Sequence, residues 1–220
     1  MPLHPRQLVV LARWPAPGRC KRRLAASCGS ASQAAAMQRR LSWHTLRTAA
    51  AAAVRCDAAL VLAATGLGPR ALQRWGQQLH DDAAPLDLQL QGGGNLGCRM
   101  QRQLRRGFAR GSQQVVLIGS DLPDLQSSDL MQAFAELEQQ PLVLGPASDG
   151  GYWLIGLTRN GFERCGPALM SGIPWSSNQV LTTTVQRADA LAVPVALLRE
   201  QNDLDQQSAL EPWLLMNRDR

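Results

Sequence analysis

Asp121 closes an apolar run in VVLIGSDLPDL, two residues before Pro123. A carboxylate at the end of a buried strand, stiffened by an X-Pro turn, suits a divalent cation. Mg2+ takes few carboxylates, keeps several waters and completes its shell with phosphate oxygens. An aspartate in a turn can also be a simple cap, and the spacing alone leaves both readings open. Asp203 and Asp205, in NDLD, follow another apolar run, VPVALL. At i and i+2 of an extended segment they would face one side, so one could complete a metal site; the segment also reads as a turn before a last helix. Asp149 precedes two glycines, Tyr152 and Trp153 in GPASDGGYW. There it could orient or deprotonate an acceptor, while DG between apolar runs is itself a hairpin signal. One turn can do both.

The cations gather elsewhere. PGRCKRRL packs Arg19, Lys21, Arg22 and Arg23 into five positions, and Lys21 is the sole lysine in a chain of 23 Lys+Arg. Pro17 and Gly18 turn the backbone. The amides that follow, with Arg19, Lys21 and Arg23, form an anion cradle; a solvated basic loop is the alternative, and no Walker pattern is present. QGGGNLGCRM sets three glycines before Asn95 and then Gly97. That permits close backbone approach to a base or ribose, but it is not a dinucleotide fingerprint. Trp175, beside Ser176 and Ser177, reads as a buried ring before a helix cap or as a sugar-stacking residue. The five cysteines (20, 28, 56, 98, 165) and three histidines (4, 44, 80) lack ligand spacing, which argues against zinc or a disulfide framework.

These residues need a scaffold. Apolar runs at 7–13, 58–65, 86–91, 114–121, 141–147, 151–157 and 193–198 read as strands. Amphipathic stretches at 31–54, 69–79, 96–110, 128–138 and 176–191 read as helices, the last with a Ser cap. The alternation predicts an α/β fold, a three-layer α/β/α sandwich around a mostly parallel sheet. Ligands of such sheets sit beyond the carboxyl ends of the strands, where cations and glycines come from the early loops and carboxylates from the later ones. One composite site is expected. The 220 residues read as a single domain, with no membrane-spanning run and no secretory signal, hence cytoplasmic. A net charge of +6 would suit nucleic acid, but no such motif is present and one Tyr and three Phe offer little stacking. Phosphate on a small molecule fits better. The oligomeric state is not readable.

Six segments in order resemble one family: ARWPAPGRCKRRL, QGGGNLGCRM, VVLIGSDLPDL, LGPASDGGYWLIGL, IPWSSNQVLTTT and NDLDQQSAL. The chain is identified over about residues 7–210 as a member of a bacterial glycosyltransferase-like group. That group was once catalogued as a domain of unknown function, and its members are labelled selenodomain-associated or arsenosugar-biosynthesis transferases. The resemblance implies a GT-A-like, nucleotide-diphospho-sugar transferase fold. It implies that Pro17, Gly18, Lys21, Arg23, Gln91, Gly92, Gly97 and Arg99 hold the nucleotide, and that Asp121, with Asp205, holds Mg2+ or Mn2+. Asp121 and Asp149 would carry the catalysis, with Asp149 near the acceptor. The expected activity is metal-dependent transfer of a sugar from a nucleotide sugar to a small-molecule acceptor. The alternatives are a nucleotidylyltransferase, joining a nucleoside triphosphate to a phosphorylated small molecule, and a non-catalytic nucleotide-binding protein. Neither nucleic acid nor membrane is an expected partner. The chain departs from the family pattern at Arg22 (for Thr), Asn95 (for Asp, removing a charge) and Ser177 (for Thr), and its tail lacks the acids that follow Asp205 in the pattern.

Overall fold

The run RQLVVLAR forms strand β1 (Arg6–Arg13), in which Leu8, Val9 and Val10 are all fully buried. Consecutive residues of a strand point to opposite faces, so both faces of the sheet must be covered. The structure, a computed structural model, describes residues 4–21, 24–26, 29–79 and 85–202. Along the chain come α1 (Ala31–Cys56), β2 (Ala58–Thr65), α2 (Pro69–Leu79), β3 (Leu86–Leu90), α3 (Leu96–Ala109), β4 (Gln114–Ile118) and α4 (Ser127–Glu136). A hairpin of β5 (Leu142–Pro146) and β6 (Tyr152–Thr158) follows, then α5 (Arg159–Met170), α6 (Val180–Ala190) and β7 (Val195–Leu197). The strands form one sheet in the order β3-β2-β1-β4-β6-β5-β7. Only β6 runs antiparallel to its neighbours. Leu8 and Val10 share an apolar cluster with Leu46 of α1, Trp75 of α2 and Phe134 of α4. Val9 shares another with Leu104 of α3, Leu169 of α5 and Ala188 of α6. This is the expected three-layer α/β/α arrangement. Among the described residues no helix is long and apolar enough to cross a membrane.

The strand order places the site. The chain steps from β1 to β2 to β3, then returns to lay β4 on the other side of β1. A crevice opens beyond the carboxyl ends of two strands whose connections depart in opposite directions. β1 and β4 are parallel, with Val10 level with Ile118. The loops that follow them therefore leave the sheet side by side.

Two elements differ from expectation. Helix α5 contains Gly161, Gly166 and Pro167, residues that disfavour helix. Packing overrides propensity here: Cys165 and Leu169 are fully buried, and the Thr158 hydroxyl caps the helix by accepting from the Gly161 amide at 3.0 Å. The last described helix starts at Val180 rather than at Ser176. Ser176 lies in the left-handed region (φ 68), and the Ser177 hydroxyl donates to the Pro174 carbonyl at 2.7 Å while accepting from the Gln179 amide at 3.2 Å. The serine organises the turn before the helix instead of capping it.

The edge strand β3 is covered in an unusual way. Arginines one turn apart on α3 and at its C-cap reach to β3 and to the loop that follows it. Arg106 donates to the Leu90 carbonyl at 2.9 Å, and Arg102 to those of Gln91 and Gly93. Arg110 pairs with the Asp87 carboxylate. Unpaired groups on a sheet edge invite another strand, and charged side chains held at that edge disfavour the pairing.

Candidate active site

A cleft of about 600 Å³ lies at the carboxyl ends of β1 and β4. Its walls include Arg13, Lys21, Gln38, Gln91, Arg99, Asp121 and Asp149, together with the rings of Tyr152 and Trp175. Seven elements or their loops therefore converge there.

The central contact joins residues 100 positions apart. Lys21 Nζ lies 2.9 Å from Asp121 Oδ2; the lysine side chain is 2% exposed and the aspartate side chain 36%. Lys21 adopts φ 46, in the left-handed region that a side chain rarely occupies. Asp121 Oδ1 accepts from Gln38 Nε2 at 2.6 Å and from the Ser120 hydroxyl at 3.3 Å. Gln38 is itself buried on α1. Both oxygens of Asp121 are thus engaged, one by a cation and one by neutral donors. Cys20, next to Lys21, is buried, and its thiol hydrogen-bonds the Ala16 carbonyl. Burial, and then the Asp121 charge, push that thiol above its ordinary pKa, so it stays protonated and is a poor nucleophile.

Asp149 sits at the tip of the β5–β6 hairpin, exposed, with Oδ1 accepting from the Gly151 amide at 2.8 Å. Gly150 has φ 84, and a Cβ there would run into the backbone of Asn178. Its carbonyl accepts from the Leu181 amide at 2.9 Å, so the hairpin tip is pinned to the start of α6. Tyr152 meets Trp175 edge-on at 6.4 Å. Burial holds the Tyr152 phenol far above its ordinary pKa, so the ring carries a neutral hydroxyl.

The family model described as "Uncharacterized protein conserved in bacteria (DUF2064)" matches residues 45–177. The chain belongs to the DUF2064 family. The matched stretch holds Asp121, Asp149 and the glycine loop; Lys21 and Gln38 precede it. A crystal structure from Desulfovibrio desulfuricans G20, provisionally described as a nucleotide-diphospho-sugar transferase, is 28% identical with a TM-score of 0.82, over 97% of this chain and 88% of that one. A 4-diphosphocytidyl-2C-methyl-D-erythritol synthase from Anaerococcus prevotii shares the fold at 9% identity and TM-score 0.63, over 97% and 99% of the two chains. So does a CMP:2-keto-3-deoxy-manno-octonic acid synthetase solved with CTP, at 11% identity and TM-score 0.57, over 98% and 99%. No curated protein matches.

The remaining site residues of this DUF2064 chain take varied places. Gln91 is buried at the cleft, its side chain donating to the Ala12 and Ala63 carbonyls at 3.1 and 2.8 Å, which ties the ends of β1 and β2 together. Arg99 lines the cleft and donates through Nε to the Gly94 carbonyl at 3.0 Å. Pro17 and Gly18 are exposed on the first loop, and Gly92 lies exposed beside the Arg102 guanidinium; none of the three is among the cleft's walls. Gly97 is buried in protein, because a Cβ there would strike the Met170 carbonyl and come within 2.8 Å of the Trp175 ring. Asn95 caps α3 by accepting from the Cys98 amide at 2.9 Å. Arg23, Asp203 and Asp205 lie outside the described residues.

Among the described residues no three His, Cys, Asp or Glu side chains come together as a metal cage. Asp121 is a partly exposed carboxylate of the kind Mg2+ uses when phosphate oxygens and waters supply the rest of its shell. The residues fit such a cation once Lys21 moves aside. Gln38 escaped the sequence reading. Its signal was a polar residue on the buried stripe of α1, beside Ala34, Leu41 and Ser42.

Proposed function

We propose that this protein is a glycosyltransferase that moves a sugar from a nucleotide-sugar donor to a small-molecule acceptor with the help of a divalent cation. One observation carries the reading: a buried ammonium and a half-buried carboxylate meet at the switch point of the sheet, in a cleft large enough for a nucleotide. The ammonium supplies charge for phosphate, and the carboxylate supplies an oxygen for a cation. The fold shared with nucleotide-diphospho-sugar transferases supports the same direction.

Lys21 and Arg99 would hold the diphosphate from the first loop and from α3. A divalent cation at Asp121 would neutralise the negative charge that builds on the leaving diphosphate. Asp149, pinned by the hairpin, would orient the acceptor and take its proton. The acceptor oxygen bonds to the anomeric carbon while the bond from that carbon to the diphosphate breaks, and the nucleoside diphosphate departs. Gln38 and Ser120 would keep Asp121 in place throughout.

The likeness to nucleotide-activating synthetases, one of them solved with CTP, favours a second reading. Here a phosphorylated small molecule attacks the α-phosphate of a nucleoside triphosphate and pyrophosphate leaves. Melting curves with UDP-, GDP-, ADP- and TDP-sugars and with nucleoside triphosphates, each with and without Mg2+ or Mn2+, separate the two. A ligand that binds only the native state raises the melting temperature. Metal-dependent stabilisation by a nucleotide sugar, followed by release of nucleoside diphosphate, upholds the first. Stabilisation by a triphosphate alone, with pyrophosphate as product, selects the second.

A further inference from the structure

The sole lysine of the chain stands where a metal ion would have to stand. Its ammonium lies 2.9 Å from Asp121 Oδ2, while Gln38 and Ser120 hold Oδ1. A divalent cation on the same carboxylate would meet a second cation at contact distance, on a lysine whose side chain is buried, and the two would repel. Metal alone therefore has to displace Lys21 from the carboxylate it pairs with.

We propose that Lys21 is a built-in counter-ion that keeps Asp121 closed to divalent cations until the phosphates of a nucleotide draw its ammonium away, so that metal and nucleotide bind as a pair. The inference rests on the reading that the cleft takes a nucleotide with a metal. Three features of the site bear on it. Lysine is a compact charge on a flexible four-carbon stem, able to swing between two anions, whereas arginine would clamp a carboxylate with a planar fork. That gives the one lysine, in a chain otherwise supplied with arginine, a reason to be at this position. The left-handed backbone of Lys21 is a strained conformation of the sort found where a segment switches. Gln38 and Ser120 stay on Oδ1 when the ammonium leaves, so the carboxylate keeps its aim. By linkage, if the nucleotide strengthens metal binding, the metal strengthens nucleotide binding by the same factor.

Having a single lysine makes a direct test possible. Protein grown with isotope-labelled lysine gives one side-chain NMR signal, that of Lys21. Mg2+ alone at millimolar concentration is expected to leave it in place. UDP, GDP, CDP and ADP are then tried in turn with Mg2+, and at least one should shift it. A shift with Mg2+ alone, equal to that with nucleotide, overturns the proposal. Mn2+ titrations read by electron paramagnetic resonance, corrected for Mn2+ held by nucleotide in solution, provide the second arm. Lys21→Met and Lys21→Gln are each checked for folding by melting. Either should bind Mn2+ alone about tenfold or more tightly than the parent, and should lose the nucleotide-dependent gain seen in the parent. Lys21→Arg should weaken Mn2+ binding with and without nucleotide. Equal Mn2+ affinity in the parent and the Lys21 variants, with binding abolished in Asp121→Asn, shows that metal reaches Asp121 past the lysine and ends the idea. If no nucleotide has any effect while the Mn2+ difference persists, the counter-ion stands and the nucleotide reading is what fails.

Discussion

Two strongly cationic stretches look alike as letters and differ in space. PGRCKRRL brings Lys21 to a carboxylate inside the cleft, while LGCRMQRQLRRGFAR lays Arg102, Arg106 and Arg110 along the edge strand β3. These arginines find backbone carbonyls and one partly buried aspartate, acceptors that belong to the protein itself. Lys21 finds an aspartate that other ligands would compete for. What differs is the acceptor: a carbonyl of the sheet edge makes a cation structural, and a carboxylate in a cleft makes it exchangeable.

The sharpest way to break this comparison is to neutralise the exchangeable acceptor. Asp121→Asn keeps the shape and the contacts of Oδ1 but removes the negative charge that faces the Lys21 ammonium. Turnover should fall at least about 100-fold, the scale of losing an electrostatic contact to a transition state. Stability should fall by about 1–3 kcal/mol, less than breaking a fully buried pair costs because Asp121 is partly exposed. Unchanged turnover in the folded variant would remove Asp121 from the chemistry.

Next in size is the contrast between the two cationic stretches themselves. Lys21→Met should weaken nucleotide affinity about tenfold, the loss of one charge-assisted contact. Arg106→Ala should leave nucleotide affinity within about twofold. It should instead lower stability by about 1–2 kcal/mol through the lost contacts to Leu90 and Gln89, several degrees of melting temperature at this chain length. Equilibrium titration and thermal melts read both. Reversed outcomes, with the arginine governing affinity and the lysine only stability, would invert the assignment.

The same contrast explains what was legible beforehand. Strands buried on both faces announce themselves as unbroken apolar runs, so β1, β2 and β4 could be read directly. The hairpin signal located the β5–β6 turn, since its contacts span only a few residues. Helix α5 was hidden because its glycines fit against Pro141 and Phe162, a packing reason that local propensity does not contain. The pairing of Lys21 with Asp121 and the aim of Gln38 depend on strand order, which no local spacing encodes. The α3 arginines gave no sign of their role either, because backbone carbonyls, the acceptors they use, belong to every residue.

The smallest effect tests the boundary between the two stretches, where the glycine loop meets α3. The family pattern has Asp at position 95, and loss of that charge would matter if the side chain held metal or nucleotide. Here Asn95 caps α3 and is not among the walls of the cleft. Asn and Asp cap helices about equally well, and Asp gains a little from the helix dipole. Asn95→Asp should therefore raise stability by about 0.3–0.5 kcal/mol at low salt, with the gain fading as salt is added. Nucleotide affinity should change by less than about twofold, with or without Mn2+. A large Mn2+-dependent gain in affinity would instead place this loop on the exchangeable side of the comparison, because a cap alone has no means of sensing a metal.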